Sequence, residues 1–160
     1  MIINVKMAEW KMAGAPDSLK TSGLGSCVAV VLYDPRKKIA AMAHVMLPWS
    51  GGSSSVATNT GKYADTAIKN MVEALRKVGS SETHLLAKLA GGAQMFHFKS
   101  HMTTLSIGER NTEACARTLA AYRIPIVMQD TGGSKGRTVH FFCENAEMTI
   151  KTVSKRINVL

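Results

Sequence analysis

Seven apolar residues, Ala64, Ala67, Ile68, Met71, Val72, Leu75 and Val78, draw one stripe along the segment TGKYADTAIKNMVEALRKVGS. Their i, i+3, i+4, i+7 spacing predicts a helix, and a helix that is apolar on one side must bury that side against something. Arg76 and Lys77 fall in its last turn, where the helix dipole favours cations, and Gly79 supplies a left-handed stop. The surfaces available to it are short runs of strand formers. Ile2–Lys6, Cys27–Tyr33 and Ile39–Met46 come first, and HLLAKLA, IPIVMQD, RTVHFFC and EMTIKTV follow. A second, shorter helix over Asn111–Tyr122 turns Cys115, Leu119 and Tyr122 inward. The order is not a regular βαβ series. The expected fold is therefore α/β, a layered sandwich in which a mixed sheet, or two, carries flanking helices.

The 160 residues suit a single domain, 1–160. A chain of this size buries about 68–70% of its unfolded surface, enough to fold without disulfides or a metal. No stretch approaches the roughly 18 apolar residues of a membrane span. The opening MIINVKMAEWKM is interrupted by lysines and has no apolar h-region, so membrane insertion and secretion are not expected and the cytoplasm is. Cys27, Cys115 and Cys143 are odd in number and far apart, a poor disulfide framework. No CxxC, HExxH or paired Cys/His spacing calls for a metal, no GxxxxGK[ST] or GxGxxG calls for a nucleotide, and no cofactor is expected.

Twenty Lys and Arg against eleven Asp and Glu give a formal charge of +9. Such an excess favours anionic partners. The bases are scattered, however, and none of the basic clusters is interleaved with the four Phe and two Trp as a base-stacking platform requires. Nucleic acid is not the expected partner.

The chemistry concentrates at TSGLGSCVAVVLYDP, where a glycine-rich bend leads through Cys27 into a strand. Gly23 and Gly25 give the backbone access to positive φ and to close approach. A thiol at such a bend stands clear of the sheet, and N–H groups around Gly25, Ser26 and Cys27 can point at a developing oxyanion. The competing reading is a buried, inert cysteine, which is the common fate of a free thiol. A nucleophilic thiol also needs a base. Paired through the Asp34–Pro35 turn, the strands holding Cys27 and His44 bring those residues to the same end of a hairpin. His84, His97, His101 and His140 have no such placement. Thr21, on the incoming side of the bend, is positioned to orient the imidazole. Cys115 and Cys143 read as packing. The Gly/Ser/Thr-rich segment 48–61 reads as a mobile loop, and Gly51–Gly52, Gly91–Gly92 and Gly132–Gly133 as tight bends, some of them forming the site wall.

The segments GLGSCVAV, AMAHVMLP, GKYADTA, AGGAQMF, IGERN and DTGG…GRTV follow one another in this order. Together they resemble the CheD family of bacterial and archaeal chemotaxis proteins, chemoreceptor glutamine deamidases, over roughly Thr21 to Val139. The resemblance implies a sandwich similar to the catalytic core of cytotoxic necrotizing factor type deamidases and a catalytic set of Cys27, His44 and Thr21. The implied activity is conversion of receptor glutamines to glutamate, with glutamate methyl ester hydrolysis at the same centre. The implied partners are the cytoplasmic domain of methyl-accepting chemoreceptors and a CheC-type CheY-phosphate phosphatase. Two other classes stay open: a regulatory module acting through that phosphatase without catalysis, and a small basic nucleic-acid binder.

Overall fold

The computed structural model describes residues 1–51, 60–95, 106–152 and 157–160. Ten strands and two long helices follow one another: β1 (Ile2–Asn4), β2 (Trp10–Gly14), β3 (Ser18–Leu24), β4 (Val28–Asp34), β5 (Ile39–Val45), α1 (Ala64–Lys77), β6 (Leu86–Gly91), α2 (Ile107–Ala121), β7 (Ile126–Thr131), β8 (Arg137–Phe142), β9 (Met148–Thr152) and β10 (Ile157–Val159). The strands form two mixed five-stranded sheets. One runs β1-β3-β8-β9-β10 and the other β2-β5-β4-β6-β7.

β4 is the middle of the second sheet, and every one of its seven residues is buried. Its side chains alternate between two cores, as strand geometry requires. Val28, Val30 and Leu32 join the α1 residues Ala64, Ala67, Ile68, Met71, Val72 and Leu75 and the α2 residues Ala114, Cys115 and Leu119. Ala29, Val31 and Tyr33 face the other way, where they join Leu19, Leu24, Val139, Phe141, Met148 and Ile150 of the first sheet. The layers are thus helices, sheet and sheet. Each fully buried Leu or Ile contributes about 1.5–3 kcal/mol, so the α1 stripe alone commits the helix to this face. Among the described residues, no helix is long and apolar enough to cross a membrane.

Several elements depart from expectation. Val78 is the C-cap of α1 and half exposed, outside the stripe, while Gly79 takes the anticipated positive φ of 96°. α2 begins at Ile107, four residues before the expected Asn111, because Ser106 caps it: the Ser106 hydroxyl accepts from the Glu109 N–H at 3.2 Å. β2, β3 and β10 had no counterpart among the expected strands, and the first strand ends at Asn4 rather than Lys6. Residues 52–59 of the anticipated mobile loop lie outside the described residues, as do His97 and His101.

Candidate active site

The β4–β5 ladder sets the site. Val28 pairs with Val45 and Ala29 with His44. Cys27 lies one residue before β4, where the chain leaves the ladder. It is two residues from Ala29 and shares that residue's face, and His44, directly opposite Ala29, shares it too. Cys27 and His44 are therefore diagonal neighbours at one end of the hairpin, turned toward the first sheet. Thr21, on the incoming side of the bend, belongs to β3 and so to that first sheet.

Thr21 and His44 meet. Thr21 Oγ1 stands 2.7 Å from His44 Nδ1 and donates to the Val5 carbonyl, also at 2.7 Å. A carbonyl can only accept, so the single hydroxyl hydrogen goes to Val5. Nδ1 must then carry the proton that reaches Thr21 Oγ1. This fixes the imidazole as the Nδ1–H tautomer, with a bare lone pair on Nε2. That nitrogen is buried and has no hydrogen-bond partner among the described residues. A buried acceptor left in this state costs about 1–3 kcal/mol. His44 is 1% exposed, and its backbone is fixed by its N–H to the Glu9 carbonyl at 2.9 Å and its carbonyl to the Ala8 N–H at 3.2 Å.

No hydrogen bond joins Cys27 to the imidazole. Cys27 is 9% exposed, and burial pushes its thiol above the ordinary value of 9.0. Burial moves His44 the other way, below 6.5. Both shifts disfavour charge, so the resting pair is a neutral thiol and a neutral imidazole rather than a thiolate–imidazolium pair. Cys115 and Cys143 are also buried, with thiols pushed up to about 12 and about 11. They lie in the helix-side core and in the far part of the inter-sheet core.

Three bends wrap Cys27. In the first, Gly23 has φ 72°. Gly25 does not adopt a positive φ; its missing side chain leaves room for Met95, whose Cγ would lie 3.0 Å from a Cβ there. The Gly25 N–H donates to the Gly23 carbonyl at 3.2 Å. By contrast, no described residue accepts from the backbone N–H of Ser26 or Cys27. In the second bend, the Gly92 N–H donates to the Cys27 carbonyl at 2.8 Å and the Ala93 N–H to the Gly25 carbonyl at 2.8 Å. Gly91 passes so close that a Cβ would sit 2.3 Å from the Cys27 carbonyl oxygen. The third bend follows β7, where the Gly132 N–H donates to the Gly91 carbonyl at 2.9 Å. Gly91–Gly92 and Gly132–Gly133 thus both lie at the site, while Gly52 of the remaining pair is outside the described residues.

Two polar side chains the sequence reading passed over tie these pieces together. Arg137, 8% exposed, reaches from β8 to the Gly91 carbonyl at 3.3 Å, the Gly132 carbonyl at 2.8 Å and Asp130 Oδ1 at 3.3 Å. Asn111 of α2, fully buried, donates through Nδ2 to the Ser26 carbonyl at 2.9 Å and the Met46 carbonyl at 3.0 Å. The available signal for Asn111 was its spacing. It stands at i−4 and i−8 from Cys115 and Leu119, a polar residue on an apolar stripe.

A buried cysteine beside an oriented, unprotonated imidazole nitrogen is an arrangement for nucleophilic attack on an acyl carbon. Residues 46–152 match the family model described as CheD chemotactic sensory transduction. The chemoreceptor glutamine deamidase CheD of Bacillus velezensis is 46% identical over 96% of this chain and 93% of its own length. The probable chemoreceptor glutamine deamidase CheD of Lachnoclostridium phytofermentans is 49% identical over 96% and 95%. The chemoreceptor glutamine deamidase CheD of Bacillus subtilis is 45% identical over 97% and 93%. With a family model over more than half its length and relatives of this identity over nearly all of it, the chain belongs to the CheD family.

Proposed function

We propose that the protein is a cysteine-dependent deamidase that converts glutamines of chemoreceptor cytoplasmic domains to glutamate. The observation that carries this reading is the Thr21–His44 contact, which leaves Nε2 free to act as a base on the face it shares with Cys27. The names of the relatives supply the substrate class.

In the proposed reaction, His44 Nε2 takes the proton from Cys27 Sγ as the sulfur attacks the carboxamide carbon. Because thiol and imidazole both resist charge at rest, proton transfer accompanies attack and does not precede it. Backbone N–H groups of Ser26 and Cys27 receive the oxyanion. The intermediate collapses as His44 returns its proton to the nitrogen, releasing ammonia and leaving a thioester on Cys27. Water then gives a proton to Nε2 and adds to the thioester, and its collapse yields glutamate and the thiol. Thr21 holds the imidazole and stabilises its charged form through the Nδ1 bond. A glutamate methyl ester follows the same steps with methanol leaving. No step needs a cofactor.

The test is mass spectrometry of a receptor cytoplasmic fragment incubated with the protein, reading a gain of about 1 Da at individual glutamines together with released ammonia. Cys27→Ala should release none; ammonia release at the unaltered rate in that variant would remove the reading. A CheC-type phosphatase partner and a cytoplasmic location belong to the same proposal. A Cys27→Ala protein that still binds and stimulates such a partner would separate a regulatory role from the catalytic one.

A further inference from the structure

We propose that Asn111 is a positioning residue that aims the Cys27 N–H at the oxyanion, an inference that rests on the deamidase reading above. Asn111 is fully buried in α2. Both groups facing its carboxamide are carbonyls, those of Ser26 and Met46, so only the NH₂ end can face them. Its Oδ1 is left without a partner among the described residues. The two carbonyls are not arbitrary. Ser26 immediately precedes the nucleophile. Met46 occupies the next register position opposite Cys27 after the last pair, Val28 with Val45. The β4–β5 ladder ends at that last pair, and the Met46 N–H donates to the Lys62 carbonyl at 2.9 Å. The Asn111 amide bridges that end.

This bridge has a directional consequence. Among the described residues the only cis peptide bond is Ala15–Pro16, so the Ser26–Cys27 bond is trans. In a planar trans peptide the C=O and N–H point in opposite directions. Drawing the Ser26 carbonyl toward α2 therefore turns the Cys27 N–H away from α2, the side on which the Cys27 side chain also lies. The next peptide is pinned as well, its Cys27 carbonyl accepting from the Gly92 N–H at 2.8 Å. The nucleophile's backbone is thus held from both sides, while no described residue takes its own N–H. A donor fixed in advance and unspent is what stabilises a developing oxyanion without reorganisation. Asn111 touches neither substrate nor sulfur in this scheme; it acts through the peptide.

The test separates oxyanion stabilisation from thiol reactivity. Alkylation of Cys27 by iodoacetamide displaces iodide and forms no oxyanion, whereas deamidation must. In Asn111→Ala, kcat for receptor-fragment deamidation should fall about 10²-fold with KM within about threefold, while the Cys27 alkylation rate stays within about threefold. Turnover at the unaltered kcat, or turnover and alkylation falling together, would overturn the positioning role. A second measurement needs no variant: an ¹⁵N-labelled protein treated with a peptide aldehyde, whose carbon accepts Cys27 Sγ to give a thiohemiacetal oxygen. The Cys27 amide proton should move downfield more than those of Val28 and Ala29, and an unmoved Cys27 signal in the adduct would overturn the proposal even if Asn111→Ala does not fold. Cys27→Ala distinguishes the layers. Activity in that variant defeats the deamidase reading, whereas its inactivity beside a fully active Asn111→Ala defeats the positioning role alone.

Discussion

Thr21 Oγ1 and His44 Nδ1 lie 2.7 Å apart, yet Thr21 belongs to β3 of one sheet and His44 to β5 of the other. The contact spans the interior of the sandwich. The base is oriented only when the two sheets are docked, so the integrity of the inter-sheet core and the competence of the site are one property.

Removing the Thr21 hydroxyl tests this directly. Thr21→Ala should lower kcat by about 10–10²-fold, since the imidazole loses both its tautomer lock and a partner for its charged form. It also leaves the Val5 carbonyl without its hydroxyl donor, at a cost of about 1–3 kcal/mol in unfolding experiments. Thr21→Ser keeps the oxygen and should stay within a few-fold of the parent. Equal losses in the two variants would argue against a role for the hydroxyl.

Acid should weaken the fold before it alters the nucleophile. Burial holds His44 below its ordinary value of 6.5, and burial followed by the nearby Lys20 does the same to His140. Between the lowered folded value and 6.5 the unfolded chain binds more protons, so stability rises with pH there. The contribution is fully present above 6.5 and is lost as pH falls through the folded value. Urea midpoints measured downward from pH 7.5 should decline, and less steeply in His44→Gln. The acid limb of kcat/KM should also sit below pH 6.5.

The three thiols should separate by reactivity. Cys115 is fully buried with its thiol pushed up to about 12, and Cys143 is 4% exposed with its thiol at about 11. Iodoacetamide at pH 8 should therefore mark Cys27 first, Cys143 slowly, and Cys115 only in denaturant. Peptide mapping by mass spectrometry gives the order.

Two glycines near the nucleophile should respond differently to alanine. At Gly91, with φ 114°, a Cβ would lie 2.3 Å from the Cys27 carbonyl oxygen, so Gly91→Ala must displace the Cys27 backbone and should lose most activity as well as stability. At Gly23, φ is 72° and nothing lies within 4 Å of a Cβ. Gly23→Ala should cost only about 1–2 kcal/mol of backbone strain and leave kcat intact. Parallel thermal melts and ammonia assays distinguish them.

The surplus of nine positive charges should matter for encounter with a receptor fragment of net negative charge. kcat/KM for such a fragment should fall as salt is raised, while that for a short neutral glutamine peptide should change little. Equal salt responses would remove electrostatic steering.

Much of the scaffold was legible because burial is written as periodicity. The α1 stripe, the unbroken apolar run of β4 and the Asp34–Pro35 turn into β5 lead to the observed helix and hairpin. The missed strands lack that signal. β3 reads SLKTSGL, a polar run whose Leu19, Thr21 and Leu24 are buried while Ser22 and Gly23 are exposed. Its pairing with β8 also shifts register between Thr21 and Leu24, and such an irregularity breaks strict alternation. Thr21 is legible as a residue on the incoming side of the bend, but not as a member of the facing sheet. Asn111 and Arg137 were harder still, because a buried polar side chain is justified only by carbonyls that other segments supply.

The glycine contacts around Cys27 also bear on how this site could be altered. Gly91 abuts the Cys27 carbonyl, and Gly108 abuts those of Gly92 and Ala93, so the innermost wall is main chain with no rotamers to exchange. Substitution at those points would break the site and not retune it. The adjustable part is the outer layer, where half-exposed Met95 lies across Gly25 and can be replaced without moving the backbone that carries the nucleophile. A library aimed at new acyl acceptors or donors would therefore begin at Met95 and leave the glycines untouched.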